Sequence, residues 1–331
     1  MIDLCIDARM AFSSGIGTYI REIVPYFRHS RFRPVLLVDQ IGRDWCKEFD
    51  QILFDPPIYS LREQLFYPIK IPRCSLFWSP HYNVPLLPIR AKKRVATIHD
   101  ACHLAFGTKA MQWYAKWVMS KAIDCSERVL TVSQFSKEEI ERRLGKGHLD
   151  VIPIGVNLSR FMRRAPDETI RAKYRLPDRF VLFVGNQKPH KNAEGLVRAF
   201  SKSKISHLEL VIVGRGTERG EVDEVDLPAL YSMATTLVFP SLYEGFGLPP
   251  LEAMSCGCPT VVSKAASIPE VCGDASLYFD PLNEDEMASA ILQVVESPQL
   301  WIEKGFERIK QFSWKESAER HIRLFEEICY A

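Results

Sequence analysis

Two doubly wound α/β domains, each a parallel sheet covered by helices, are the architecture this sequence predicts. Three observations predict it. The chain has 331 residues, about twice an ordinary domain. Short β-rich runs alternate with helical patterns through both halves, as strands joined by crossover helices do. The apolar runs VLFVG (181–185) and LVIVG (210–214) lack strict alternation, which fits strands buried on both faces.

Taken in order, the first half offers strands at Ile2–Ile6, Pro34–Val38, Leu76–Trp78, Arg94–Ile98, Arg128–Val132 and Asp150–Ile152. The segment IPIGVNLSRF (152–161) then places Pro, Gly and Asn between two strand series, so a domain boundary is expected near Asn157. The second half continues with Phe180–Val184, Glu209–Val213, Thr236–Phe239, Thr260–Val262 and Leu277–Phe279. Trp314, Ala318, His321, Ile322, Phe325 and Ile328 recur at near-helical spacing and predict a long amphipathic closing helix over Trp314–Tyr330. The expected division is therefore 1–157, 158–313 and a closing segment 314–331.

Composition narrows the class. Hydrophobic residues at 47% and charged residues at 25% exclude a disordered or collagen-like chain. No apolar run approaches the length of a membrane-spanning helix. Asp3 and Asp7 stand where a signal peptide wants a basic patch and an apolar run, so MIDLCIDARM reads as a first strand. Nine cysteines without a Cys-x-x-Cys pair or zinc-type spacing point to a reduced, cytoplasmic setting. Cys256 and Cys258 read as small apolar residues around Gly257. The net charge of +2 divides unevenly, +6 over residues 1–157 and −4 over the rest. The basic half suits a lipid surface, a lipid-phosphate acceptor or no particular partner, while no Lys/Arg run suggests nucleic acid.

Parallel sheets bind ligands beyond the carboxyl ends of their strands, where helix N-termini favour anions. Gly15 and Gly17 lie in the loop after the first strand, ahead of a helix from about Thr18, where a tight turn and a phosphate site explain them equally well. VGNQKPHKN (184–192) follows a strand and opens a helix at about Asn192, placing Lys188 and Lys191 where a diphosphate would meet two ammonium groups. The chain has no Asp-x-Asp for a metal–diphosphate bridge, so no metal is expected. In SLYEGFGLPPLEAMSCGCPTVVS (241–263), Glu244 falls on a turn, Pro249 or Pro250 suits the first helical position, and Glu252 lies in the first turn. Two carboxylates so placed can accept hydroxyls of a sugar and a ribose.

Tyr243-Glu-Gly-Phe-Gly-Leu-Pro-Pro-Leu-Glu-Ala253, with Cys256-Gly-Cys-Pro-Thr-Val-Val and Pro269-Glu-Val, resembles the donor-site signature of retaining family-4 glycosyltransferases. VIPIGV, VGNQKPHKN, DLPALY and FSW match other landmarks in the same order. The resemblance implies the GT-B architecture, two Rossmann-like domains facing a central cleft, the first taking the acceptor, the second the nucleotide sugar, with the last helix returning to the first domain. It implies that Glu244 contacts the transferred sugar and Glu252 the ribose. Gly245, Phe246, Gly247 and Leu248 supply backbone donors, Lys191 neutralises the leaving diphosphate, Gly15 lies near it, and His99 sits beside the reacting sugar as a neutral hydrogen-bond donor. Asn186 stands where many relatives carry Arg, leaving Lys188 as a second cation. The chain between Gly216 and Gly220 is short by roughly a helix and a strand.

The implied activity is metal-independent hexosyl transfer with retention, GDP-mannose favoured as donor over UDP-hexoses, to a glycan or lipid-linked acceptor in surface polysaccharide synthesis, with no cofactor beyond the donor. A catalytically silent binding or scaffold protein of this fold is the competing class. An NAD-linked dehydrogenase fails because Gly15-Ile-Gly17 is not completed by a third glycine. KAMQWYAKWVMSK (109–121) reads either as an interfacial helix touching an anionic membrane or as a helix burying its Trp and Met residues.

Overall fold

The computed structural model describes residues 1–202 and 207–331. The chain divides into two compact units, one formed by Met1–Gly155 with Trp314–Ala331, the other by Val156–Ser313.

The first unit contains strands β1 (Ile2–Asp7), β2 (Phe32–Val38), β3 (Asp50–Leu53), β4 (Cys74–Ser79), β5 (Ala91–Thr97), β6 (Arg128–Thr131) and β7 (Leu149–Val151). They form one sheet in the order β3-β2-β1-β4-β5-β6-β7, parallel throughout. Its helices are α1 (Ser14–Ile23), α2 (Leu61–Lys70), α3 (Cys102–Phe106), α4 (Lys109–Cys125) and α5 (Gln134–Leu144). The order reverses between β1 and β4, which puts a ligand crevice at their carboxyl ends. Four of these elements were not foreseen: β3, α2, α3 and α5. The helix after β1 begins at Ser14, not near Thr18, so Gly15 and Gly17 lie inside its first turn. Gly17 is obligatory there, since a Cβ would stand 2.5 Å from the Ala11 carbonyl oxygen.

The second unit contains α6 (Glu168–Tyr174), β8 (Phe180–Val184), α7 (Ala193–Lys202), β9 (Glu209–Val213), α8 (Leu227–Met233), β10 (Thr236–Phe239), α9 (Leu248–Ser255), β11 (Thr260–Ser263), α10 (Ile268–Cys272), β12 (Leu277–Phe279), α11 (Glu284–Glu296) and α12 (Pro298–Arg308). The five strands run in the order β12-β11-β10-β8-β9, again parallel. Its core joins Val181, Phe183, Val238 and Val261 of the strands to Leu196 of α7 and Met287, Ile291 and Val294 of α11. Leu182, Leu237 and Val262, on the opposite face, are buried as well, and burial on both faces explains the uninterrupted apolar strands. The order reverses between β8 and β10.

The closing helix α13 (Trp314–Tyr330) belongs to the first unit. Phe325 packs against Phe27, Phe32 and Trp78 with ring centroids 5.5, 6.3 and 5.2 Å away.

Candidate functional site

In the second unit the loops after β8 and β10 meet at the reversal point. The first leaves Gly185, makes one 3₁₀ turn over Pro189–Lys191, and enters α7 through Asn192 in the left-handed region. The helix α7 thus opens at Ala193, next to the start expected at about Asn192. The Asn192 amide donates to the Pro281 carbonyl at 2.8 Å. The Leu242 amide donates to the His190 carbonyl at 2.7 Å, stitching the two loops together. Lys191 Nζ lies 2.6 Å from Glu244 Oε1, with only 18% and 13% of the two side chains exposed. The same ammonium stands 5.7 Å from the centre of the Phe239 ring. Partial burial makes this pair stronger than a surface ion pair and makes stranding either charge costly.

The β10 loop is held from below. Ser267 Oγ lies 2.9 Å from the carbonyl oxygens of both Glu244 and Phe246, and the buried Phe246 ring meets Phe312 edge to face at 5.7 Å. Gly247 takes φ +100° as the residue before α9. The helix starts at Leu248, so Pro249 and Pro250 occupy its second and third positions rather than the first. Of the first four helical residues, only Leu248 and Leu251 thus carry an N–H toward a ligand. Glu252 lies one turn inside α9, beyond the first turn expected for it, and Tyr231 of α8 donates to its Oε2 at 3.0 Å. Burial, then the neighbouring carboxylate, holds the Tyr231 phenol well above its ordinary pKa, so it remains a donor.

Asn186 does not project as a cation substitute. Its Oδ1 accepts from the Lys188 amide at 3.2 Å, closing a local turn, while Lys188 is exposed. Gly185 and Gly214, at the ends of β8 and β9, touch back to back: a Cβ on Gly214, which has φ +133°, would collide with the Gly185 carbonyl. The structure thus brings together Lys191 and Glu244, and places Gly245–Leu248 and Glu252 on the same loop and helix. Sequence reasoning gave Tyr231, at the end of the DLPALY landmark, no role, and it missed Ser267 and Gly214. Of those two, only Gly214 had a signal, a glycine directly ending an apolar strand.

None of the nine cysteines forms a disulfide; six of them are buried, and burial pushes the Cys256 thiol up to about 12. Among the described residues no cluster of three His, Cys, Asp or Glu side chains could hold a metal.

In the first unit His99 follows β5. Its Nε2 lies 2.9 Å from the Pro80 carbonyl, and its ring meets Tyr19 edge to face at 4.7 Å. Burial lowers its pKa despite that carbonyl and Asp100, so the ring is neutral at pH 7. A carbonyl only accepts, so the single ring proton is on Nε2 and Nδ1 is an acceptor. The His99 proton is thus engaged by the Pro80 carbonyl, where the sequence reading expects a donor to the reacting sugar.

Below it lies a buried polar cluster that sequence reasoning missed. Arg9 grips Asp7 with two bonds, 2.9 and 2.7 Å, and reaches Glu63 Oε2 at 3.1 Å. Tyr67 donates to Asp7 at 2.7 Å, and Asn83 donates to Glu63 Oε1 at 2.5 Å. Burial alone would raise the Asp7 carboxyl, but Arg9 and His81 hold it well below the usual range. The cluster anchors the loop after β4 that carries Pro80.

Two doubly wound units in one chain, one with a lysine–glutamate pair at its reversal point, define a GT-B glycosyltransferase. Residues 13–160 match the family described as Glycosyltransferase Family 4, and residues 178–297 match Glycosyl transferases group 1. O-antigen chain mannosyltransferase B of Escherichia coli is 33% identical over 273 residues, covering 72% of this chain and 71% of that protein. O-antigen chain mannosyltransferase RfbU of Salmonella typhimurium is 28% identical over 263 residues, covering 73% and 70%. Among solved structures, sucrose-phosphate synthase of Thermosynechococcus elongatus superposes with a TM-score of 0.79 at 21% identity, covering 99% of each chain. Anabaena HepE in complex with UDP-glucose gives 0.79 at 15% identity, covering 99% and 100%. The chain belongs to glycosyltransferase family 4.

Proposed function

We propose that this glycosyltransferase moves a hexose, mannose first, from a nucleoside-diphosphate sugar to a glycan or lipid-linked acceptor in surface polysaccharide synthesis, with retention and without a metal ion. The Lys191–Glu244 pair carries the reading. When the donor binds, the ammonium turns to the diphosphate while Glu244 takes a sugar hydroxyl. The bond from the anomeric carbon to phosphate oxygen breaks, the acceptor oxygen bonds on the same face, and its proton passes to the departing phosphate. Lys191, Lys188 and the N–H groups of Gly245–Leu248 offset the charge that develops. Glu252, held by Tyr231, takes the ribose, and neutral His99 accepts from a sugar hydroxyl. GDP-mannose is the first choice of donor because two relatives are named as O-antigen mannosyltransferases. UDP-glucose bound to HepE keeps a UDP-hexose as the second. We place the enzyme on the cytoplasmic side, in peripheral contact with an anionic membrane through α4. No helix among the described residues is long and apolar enough to cross one.

The test is a panel of nucleotide sugars read by melting temperature and by release of nucleoside diphosphate, repeated with EDTA. The anomeric configuration of the product is then read by NMR. A donor-dependent shift with hydrolysis, EDTA resistance and retained configuration is expected. Binding without turnover in the presence of acceptor extracts would favour the silent scaffold, and an inverted product would remove the same-face mechanism.

A further inference from the structure

α2 is folded inside out. Its inward face is polar: Glu63, Gln64 and Tyr67 are buried, Glu63 and Tyr67 in the cluster with Asp7 and Arg9. Gln64 receives the Leu86 amide at 2.9 Å and donates to the Val84 carbonyl at 3.3 Å. With three polar side chains fixed inward, the apolar ones must face outward. Leu61, Leu65 and Ile69 form an i, i+4, i+8 stripe that is 86%, 64% and 65% exposed, flanked by Phe66. So much contiguous apolar surface left exposed marks a contact site.

A second exposed apolar patch lies on α4. The loop between them is tied to α2 through Gln64 and to α4 by Tyr114, which donates to Asn83 Oδ1 at 3.1 Å. Tyr59, just before α2, meets the Tyr114 ring at 6.1 Å. On α4, Ala115, Val118, Met119 and Ala122 are buried, while Trp113 and Trp117 stack outside with centroids 6.4 Å apart. The rim is cationic. Arg62 and Lys70 flank the stripe on α2, and Lys109, Lys116 and Lys121 line α4. The one carboxylate of α2, Glu63, is buried with Arg9, and the one on α4, Asp124, is paired with Lys146 at 2.6 Å.

We propose that the outward face of α2 docks on an anionic lipid surface, together with the α4 tryptophans. The proposal rests on the peripheral contact already assigned to α4 and adds a second, separately testable face. Leu61, Leu65 and Ile69 enter the interface between headgroups and acyl chains, and Arg62 and Lys70 meet lipid phosphates. Charge selects this occupant over a second copy of the chain, whose own cationic rim would repel it.

The experiment is flotation of the full chain with phosphatidylcholine vesicles, alone or doped with phosphatidylglycerol. Wild type should float with the anionic vesicles only. Leu65→Glu/Ile69→Glu should lose at least about tenfold in partitioning, and Arg62→Glu/Lys70→Glu at least about 25-fold, since each basic residue contributes about fivefold near such a surface. Donor hydrolysis in vesicle-free solution should stay at the wild-type rate in both. Leu65→Gln/Ile69→Gln replaces the first variant if circular dichroism shows it unfolded. Wild-type flotation by both α2 variants, with loss only in Trp113→Ala/Trp117→Ala, would overturn the α2 face and leave the α4 contact standing. A wild type that never floats would overturn both. A dimer in solution that the α2 variants dissociate, without flotation, would assign the stripe to a second copy and overturn the proposal.

Discussion

Lys191 and Glu244 neutralise each other across 2.6 Å in a half-buried setting, so truncating either leaves a charge where a ligand's charge should be handled. Glu244→Ala and Lys191→Ala are each expected to cut turnover more than ~100-fold with the fold intact. Steady-state rates beside circular dichroism check this, and full activity in either variant would end that residue's assignment. The deeper ion cluster behaves differently, because nothing there reaches solvent. Arg9→Met would strand the buried carboxylates of Asp7 and Glu63 and should destabilise the first unit by roughly 3–5 kcal/mol, read from urea melts. The two groups also differ in how readable they were. Lys191, Glu244 and Glu252 stand in short contiguous motifs on loops and helix starts, so the family resemblance could single them out where spacing alone left them open. Arg9 and Glu63 lie 54 positions apart and meet only through the sheet, which local spacing cannot report. The partner of His99 was hidden for a similar reason, since it is a backbone carbonyl 19 positions away.

Among elements, α13 shows how a helix is bolted to a sheet. His321 Nδ1 lies 2.7 Å from the Ser317 carbonyl, so its proton is there and Nε2 accepts from Tyr19 at 2.6 Å. Trp78 donates to Thr97 Oγ1 at 3.1 Å, and Thr97 lies 3.2 Å from the Tyr19 hydroxyl, which completes an uncharged chain. Burial lowers the His321 pKa from 6.5 to about 4. Its folded pKa is depressed, so between those values the unfolded chain binds the extra proton. The contribution is full above about pH 6.5, is lost as pH falls toward 4, and amounts to roughly 3 kcal/mol. Melting of the first unit followed across that window should show the slope, and His321→Gln should flatten it; an unchanged slope would detach the effect from His321. The amphipathic spacing of α13 was plain in the sequence. β3 was not, because a four-residue edge strand reading DQIL is half polar and resembles a loop. α2 was missed because its buried face is the polar one, the reverse of the pattern by which helices are recognised.

At the scale of the whole chain, the first unit is discontinuous: it is completed only after the chain has built the second. The parallel class and both strand series were legible because doubly buried strands write uninterrupted apolar runs. The strand orders were not, since pairing depends on crossover direction rather than on composition. The closing segment contributes Phe325 to the Phe27, Phe32 and Trp78 cluster. It also gives the Ile328 carbonyl to Lys93 at 2.6 Å and receives Val151's carbonyl on Arg320 at 2.8 Å. Loss of one buried aromatic of this kind costs about 3–5 kcal/mol, a large share of what a domain this size has to spare. Ending the chain after Ser313 should therefore speed hydrogen exchange throughout residues 1–155, β1 and β4 included. Residues 156–313 should exchange as before, because α13 lies outside that unit. A donor nucleotide sugar should still slow exchange at Gly185–Asn192 and Glu244–Glu252 in the truncated protein. Faster exchange in the second unit, or an undisturbed first unit, would contradict the division.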